Sequence, residues 1–122
     1  MKPNRTLKTM TPIYVENSRI PLMLQRFSPI DINAITLFPF VFSKDLMGNV
    51  VRNHEAIHFQ QQLETGIIGF YIIYILNFLW LRLAGIGGPT AYKLLKAEKE
   101  AYGNELNIDY LAERTRWEWI RG

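Results

Sequence analysis

The sequence predicts an α+β fold in which short N-terminal β segments precede a three-helix antiparallel core. Two observations lead there. Prolines recur at Pro12, Pro21 and Pro39 (with Pro29 between), separated by β-branched and aromatic runs such as Ile13-Tyr14-Val15 and Ile35-Thr36-Leu37-Phe38, which is the signature of extended segments and turns. Beyond residue 45 come long segments with helical character, punctuated at Gly66 and at Gly85-Ile86-Gly87-Gly88-Pro89, as helix ends are. At 122 residues the chain suits one domain with its own core: an extended arm over 1–45 and a helical core over 46–122.

In the arm, Glu16-Asn17-Ser18-Arg19 reads as a turn, and Pro39 inside a strand-like run implies an edge strand or a bulge. An edge strand keeps spare backbone donors and acceptors, so it can accept an extended peptide. It can equally be part of a small sheet over the core, with Phe38, Phe40 and Phe42 on one face at the strand period of two. Ser43-Lys44-Asp45 supplies capping residues for a first helix from about Leu46 to Thr65, disturbed at Gly48 and closed at Gly66.

The second helix, over residues 66–81, carries no formal charge. Its ~16 residues fall short of the ~20 that cross a bilayer, so the expectation is a buried core helix. The second reading is a helix lying in a membrane interface, bordered by Tyr71, Tyr74, Trp80 and Arg82. The third helix is expected from Thr90 as N-cap through Trp119 despite Gly103, with apolar positions at Leu94, Leu95, Ala97, Ala101, Leu106, Ile108 and Leu111. Trp117, Trp119 and Arg121 then form a clasp over the core or a lipid anchor.

The composition narrows the chemistry. With 48% hydrophobic and 20% charged residues the chain is globular. Its net charge of +3 suits an anionic surface without demanding one. Cysteine is absent, so any metal must rest on His and carboxylates. Phosphate-loop, dinucleotide and finger motifs are missing, which leaves nucleic acid without support as a partner. The charged start is not followed by a secretory apolar run, so the expected location is cytoplasmic, with membrane association as the alternative.

Both histidines of the chain fall in one motif, His54-Glu55-Ala56-Ile57-His58. On a helix, i and i+4 share a face, so the two imidazoles can chelate one ion. Glu55 sits about 100° round the helix, where it can lean over a water on that ion as general base. A catalytic zinc commonly has three protein ligands. Counting equal rise along three antiparallel helices brings Glu98 level with the motif, with Glu100 within error. If the helix runs unbroken through Gly66, Glu113 is the better candidate. Glu105 is displaced by on the order of 10 Å.

HEAIH followed by Glu98-Lys99-Glu100-Ala101-Tyr102 resembles the gluzincin metallopeptidases, whose third ligand is a Glu in an E-x-x-A-D pattern. Glu98 and Ala101 match, while Tyr102 stands where the Asp usually does. A carboxylate orienting a histidine must then come from elsewhere, with Asp109 and Glu105 as substitutes. The stretch from Phe38 to Tyr110 also resembles small uncharacterised HExxH proteins of bacteria. The resemblance implies a zinc-dependent peptidase acting on a peptide or protein substrate: His54, His58 and Glu98 as ligands, Glu55 as base. The alternative is a metal-holding scaffold or a membrane-peripheral module without turnover.

Overall fold

The computed structural model describes residues 11–28 and 32–121. The first ten residues of the expected arm, Pro29 and the side chain of Arg121 lie outside the described residues. The fold is α+β. Strand β1 (Ile13–Val15) runs parallel to β3 (Phe40–Ser43), which pairs antiparallel with β2 (Ala34–Leu37), giving the order β1-β3-β2. Pro39 lies in the tight turn joining β2 to β3, after a cis Phe38–Pro39 peptide, and not within an edge strand or bulge. The sheet face turned to the helices carries Val41, fully buried, and Thr36. Phe40 and Phe42 share the other face, ring centroids 5.5 Å apart, whereas Phe38 in the turn stacks on Phe59 at 5.2 Å.

The arm also contains a helix that the proline pattern argued against: α1 (Ile20–Gln25). Pro21 falls in its first turn, where a missing N–H is no loss and a fixed φ is already helical. Ser18 Oγ accepts the Ile20 N–H at 3.2 Å. The proline marks a helix start.

Helix α2 (Asn49–Glu64) is the centre of the molecule. Gly48, the expected disturbance, is its N-cap. At its far end Gly66 adopts φ +66°, the Gly66 N–H reaches Leu63 O at 3.3 Å and the Ile67 N–H reaches Gln62 O at 2.7 Å. These are the paired bonds of a Schellman ending. The same arrangement recurs at the end of α3 (Ile68–Leu83), with Gly85 at φ +89° and bonds from Gly85 to Arg82 and Ile86 to Leu81.

The antiparallel geometry does not form. Helix α3 leaves α2 at a bend of 110°, and the expected third helix is divided into α4 (Gly88–Leu94), α5 (Lys96–Asn104), α6 (Tyr110–Glu113) and α7 (Glu118–Arg121). The first of these breaks has a local cause at Leu95. Its ψ of 138° is extended, its side chain is buried, and the freed Lys96 N–H is taken by Asn77 Oδ1 at 2.9 Å. Gly103 lies inside α5 and breaks nothing. Helix α4 begins at Gly88, with Gly87 and not Thr90 as N-cap.

Nor is α3 a buried helix. Of its residues only Phe70 is buried; Phe70 packs with Ala97 and Trp119. Trp119 is therefore the clasp and not a lipid anchor, while Trp117 stays partly exposed under the Arg116 guanidinium.

Candidate metal centre

Helix α2 is polar in sequence yet buried from Asn53 to Gln62. Burying polar groups is costly unless each finds a partner. Here the partners lie on β2, α3, α5 and the chain after it. Asn53 Nδ2 faces the carbonyls of Asn104, Glu105 and Asn107 at 3.3, 2.8 and 2.9 Å, satisfying groups that the end of α5 leaves open.

His54 and His58 stand one turn apart with their Nε2 atoms 3.2 Å from each other. Helix α5 brings Glu98 Oε1 to 3.2 Å from His54 Nε2 and 3.1 Å from His58 Nε2. The three atoms make a nearly equilateral triangle. Tetrahedral zinc with bonds of about 2.05 Å separates its ligand atoms by about 3.3 Å, so this donor set fits such an ion.

The tautomers follow from the outer bonds. His54 Nδ1 lies 2.8 Å from Glu105 Oε1, a carboxylate that can only accept, so Nδ1 carries the hydrogen. His58 Nδ1 lies 2.8 Å from Gln61 Oε1. The amide orientation of Gln61 is fixed because its Nε2 donates to Ala97 O at 3.0 Å and Glu100 Oε1 at 2.9 Å. In both neutral rings the Nε2 lone pair therefore faces inward, toward the other ring and the Glu98 carboxylate. Three acceptors at such spacing repel one another unless a cation lies among them.

Without a metal, that cation is a proton. Burial by itself depresses the His58 pKa, but the charge and hydrogen bond of Glu98 outweigh it and hold His58 at about 9. Burial likewise works against the Glu98 carboxylate, yet the two histidines hold it well below its ordinary range. Tyr74 donates its hydroxyl to Glu98 Oε2 at 2.9 Å. Burial and the adjacent Glu98 charge push the Tyr74 pKa up, so it remains a donor.

Glu55 is set back from this triangle, its Oε2 3.9 Å from His54 Nε2. His54, Glu55 and His58 offer ligand atoms within 4.8 Å of one another, but Glu98 approaches both rings more closely. Thr36 Oγ1 lies 2.9 Å from Glu55 Oε1 and occupies that oxygen. Burial raises the Glu55 pKa, against the opposing pull of both histidines. A carboxylate made more basic and left with one uncommitted oxygen is equipped to take a proton.

The other candidates are elsewhere. Glu100 turns away to the buried Arg114, which also holds Glu64 through contacts of 2.6 and 3.0 Å. Glu113 is exposed on α6 and Asp109 is exposed before it; the carboxylate against His54 is Glu105. Two residues carried no signal in the sequence. Gln61 and Gln62, in a Gln run without apolar periodicity, are both fully or almost fully buried. Gln62 donates to Thr36 O at 2.9 Å and accepts from the Phe38 N–H at 3.2 Å. It thereby occupies the Thr36 carbonyl on β2 and the Phe38 N–H in the turn that follows.

A cavity of about 530 Å³ opens over the site. His54, Glu55, His58 and Glu98 line it together with Ile35, Phe78 and Tyr92. No family model, curated protein or solved structure matches the chain.

Proposed function

We propose that this protein is a zinc-dependent metallopeptidase in which His54, His58 and Glu98 hold the metal and Glu55 is the general base. The observation that carries the reading is the convergence of three lone-pair atoms within 3.2 Å, both ring tautomers being fixed from outside. Zinc bound there would supply an electrophile that polarises a peptide carbonyl and acidifies a water. The chain's own residues do the rest. Thr36 keeps one Glu55 oxygen occupied, leaving the other to take the proton from the attacking water and deliver it to the departing amine. Tyr74, by engaging Glu98 Oε2, leaves Oε1 as the oxygen that would hold the metal.

The competing reading, a metal-holding scaffold without turnover, draws on Gln62, whose amide already occupies the Thr36 carbonyl on β2. One pair of measurements separates them. Zinc uptake by wild type and Glu55→Gln should be equal, while hydrolysis of a mixed peptide library should be seen for wild type alone. Hydrolysis surviving in Glu55→Gln overturns the general-base role; zinc uptake with no hydrolysis by either protein favours the scaffold.

A further inference from the structure

Among the described residues, nothing covers the face of α3 that points away from the metal centre. Ile72, Ile75, Leu76, Leu79, Trp80 and Leu83 are each more than half exposed, Leu83 at 85%. At 100° per residue they fall within an arc of about 140°. Six such side chains on one stripe make a patch at or beyond the ~300–600 Å² that is the largest on a typical monomer. Phe27, following α1, is 89% exposed, and it lines the same cavity as Ile75. The apolar stripe and the cavity mouth are therefore continuous.

Charge narrows the occupant. Between Glu64 and Glu98 the chain has Arg82, Lys93 and Lys96 but no acid, and from Asn17 to Ser28 it has Arg19 and Arg26 but no acid. All five are exposed; Lys96 turns its Nζ to Ile120 O at 3.4 Å, on the Phe70–Trp119 side, and none of the other four forms an ion pair with a described carboxylate. In a second copy docked through this face the cations of these two segments would meet one another, and neither segment supplies an acid to pair them. Lipid phosphates would pair with them and accept the apolar stripe at once. Among the described residues no single helix is long and apolar enough to cross a membrane; α2 and α3 pass only as a bent pair, and the inner face of α3 commits Tyr74 and Asn77 to Glu98 and Lys96.

We infer that the outer face of α3, with Phe27 beside it, seats the protein flat on an anionic lipid surface, the cavity mouth opening at that surface. Substrate would then reach Glu55 as polypeptide held at the bilayer, a consequence that rests on the peptidase reading; the seating itself does not.

The test is flotation of the full chain with vesicles of phosphatidylcholine and phosphatidylglycerol (3:1), compared with phosphatidylcholine alone. Wild type and the zinc-free His54→Ala protein should both float with the anionic vesicles, at least tenfold more than with neutral ones, and less in 500 mM salt. Leu76→Ser/Leu79→Ser, and separately Arg82→Gln/Lys93→Gln, should each weaken partition tenfold or more while keeping wild-type helicity and zinc uptake. Leu106→Ser/Ile108→Ser, exposed but outside the stripe, should bind as wild type. Absence of flotation, flotation insensitive to both double variants, or a wild-type dimer that the leucine variant dissolves would overturn the inference. In each of those cases intact zinc uptake and hydrolysis leave the peptidase reading standing.

Discussion

Replacing Glu98 by Gln removes one charge and almost no volume, so it isolates the carboxylate's part in metal binding. Structural zinc sites with four ligands bind with roughly 10–16 kcal/mol, or about 2.5–4 per ligand. The amide oxygen that Glu98→Gln puts in place of the carboxylate is a poor ligand, and the Tyr74 hydroxyl at 2.9 Å from Oε2 holds the group in place, so little is recovered by rearrangement. A loss of about 3 kcal/mol corresponds to roughly a hundredfold weaker zinc affinity. Glu105→Gln acts only through His54 and should cost nearer tenfold, at the low end of the range for outer hydrogen-bond partners. Glu113→Gln should change nothing. Competition of zinc-free protein against a chromophoric chelator reads all three. Wild-type affinity in Glu98→Gln, or a larger loss in Glu113→Gln, would refute the assignment of Glu98.

Arg114→Leu leaves the buried carboxylates of Glu64 and Glu100 without their shared cation and should cost about 3–5 kcal/mol, read from urea unfolding of the zinc-free protein. The His58 proton gives a pH dependence. In zinc-free protein its pKa rises from 6.5 to about 9, so its contribution to stability is fully present below pH 6.5 and fades as pH rises through 9. Zinc must displace that proton, so apparent affinity should climb by about tenfold per pH unit between 7 and 9 and then level off; a flat profile refutes this. Phe59→Ala, emptying a buried site stacked on Phe38, should destabilise by about 3–5 kcal/mol in the same urea assay.

Local chemistry was legible where the cause sits within a few residues. The two histidines one turn apart, Gly66 as a left-handed ending and the break at Gly85 all depend on backbone geometry that neighbouring residues set. Glu98 is a different case. The count that reached it assumed antiparallel helices, and the 110° bend between α2 and α3 removes that premise. Glu98 meets the histidines because the chain breaks at Leu95, letting α5 turn and pack directly on α2. The residue agrees with the expectation; the geometry that brings it there does not. Pro21 shows the opposite failure, a residue read as a helix breaker that starts one.

What stayed hidden is the partner of each polar residue on α2. A polar helix in sequence reads as a solvated one, and its run of Gln has no periodicity that points inward. Gln61 and Gln62 are buried only because Glu100, Ala97, Thr36 and Phe38 present matching groups from 24 to 39 residues away. Such burial adds little stability over an apolar core and is costly whenever one partner is lost. What it does provide is orientation. Gln61 fixes the His58 tautomer, Glu105 fixes that of His54, and Tyr74 fixes which oxygen Glu98 presents. Arg114 holds Glu100 so that Glu100 can in turn hold Gln61. For packing alone, Leu at 61 would serve better; for aiming two imidazole lone pairs and one carboxylate oxygen at a single point, the amide and its supports are required. The general expectation that polar residues are exposed fails along the same stretch that carries the proposed metal ligands, as expected where a fold gives up packing to hold a reactive group in place.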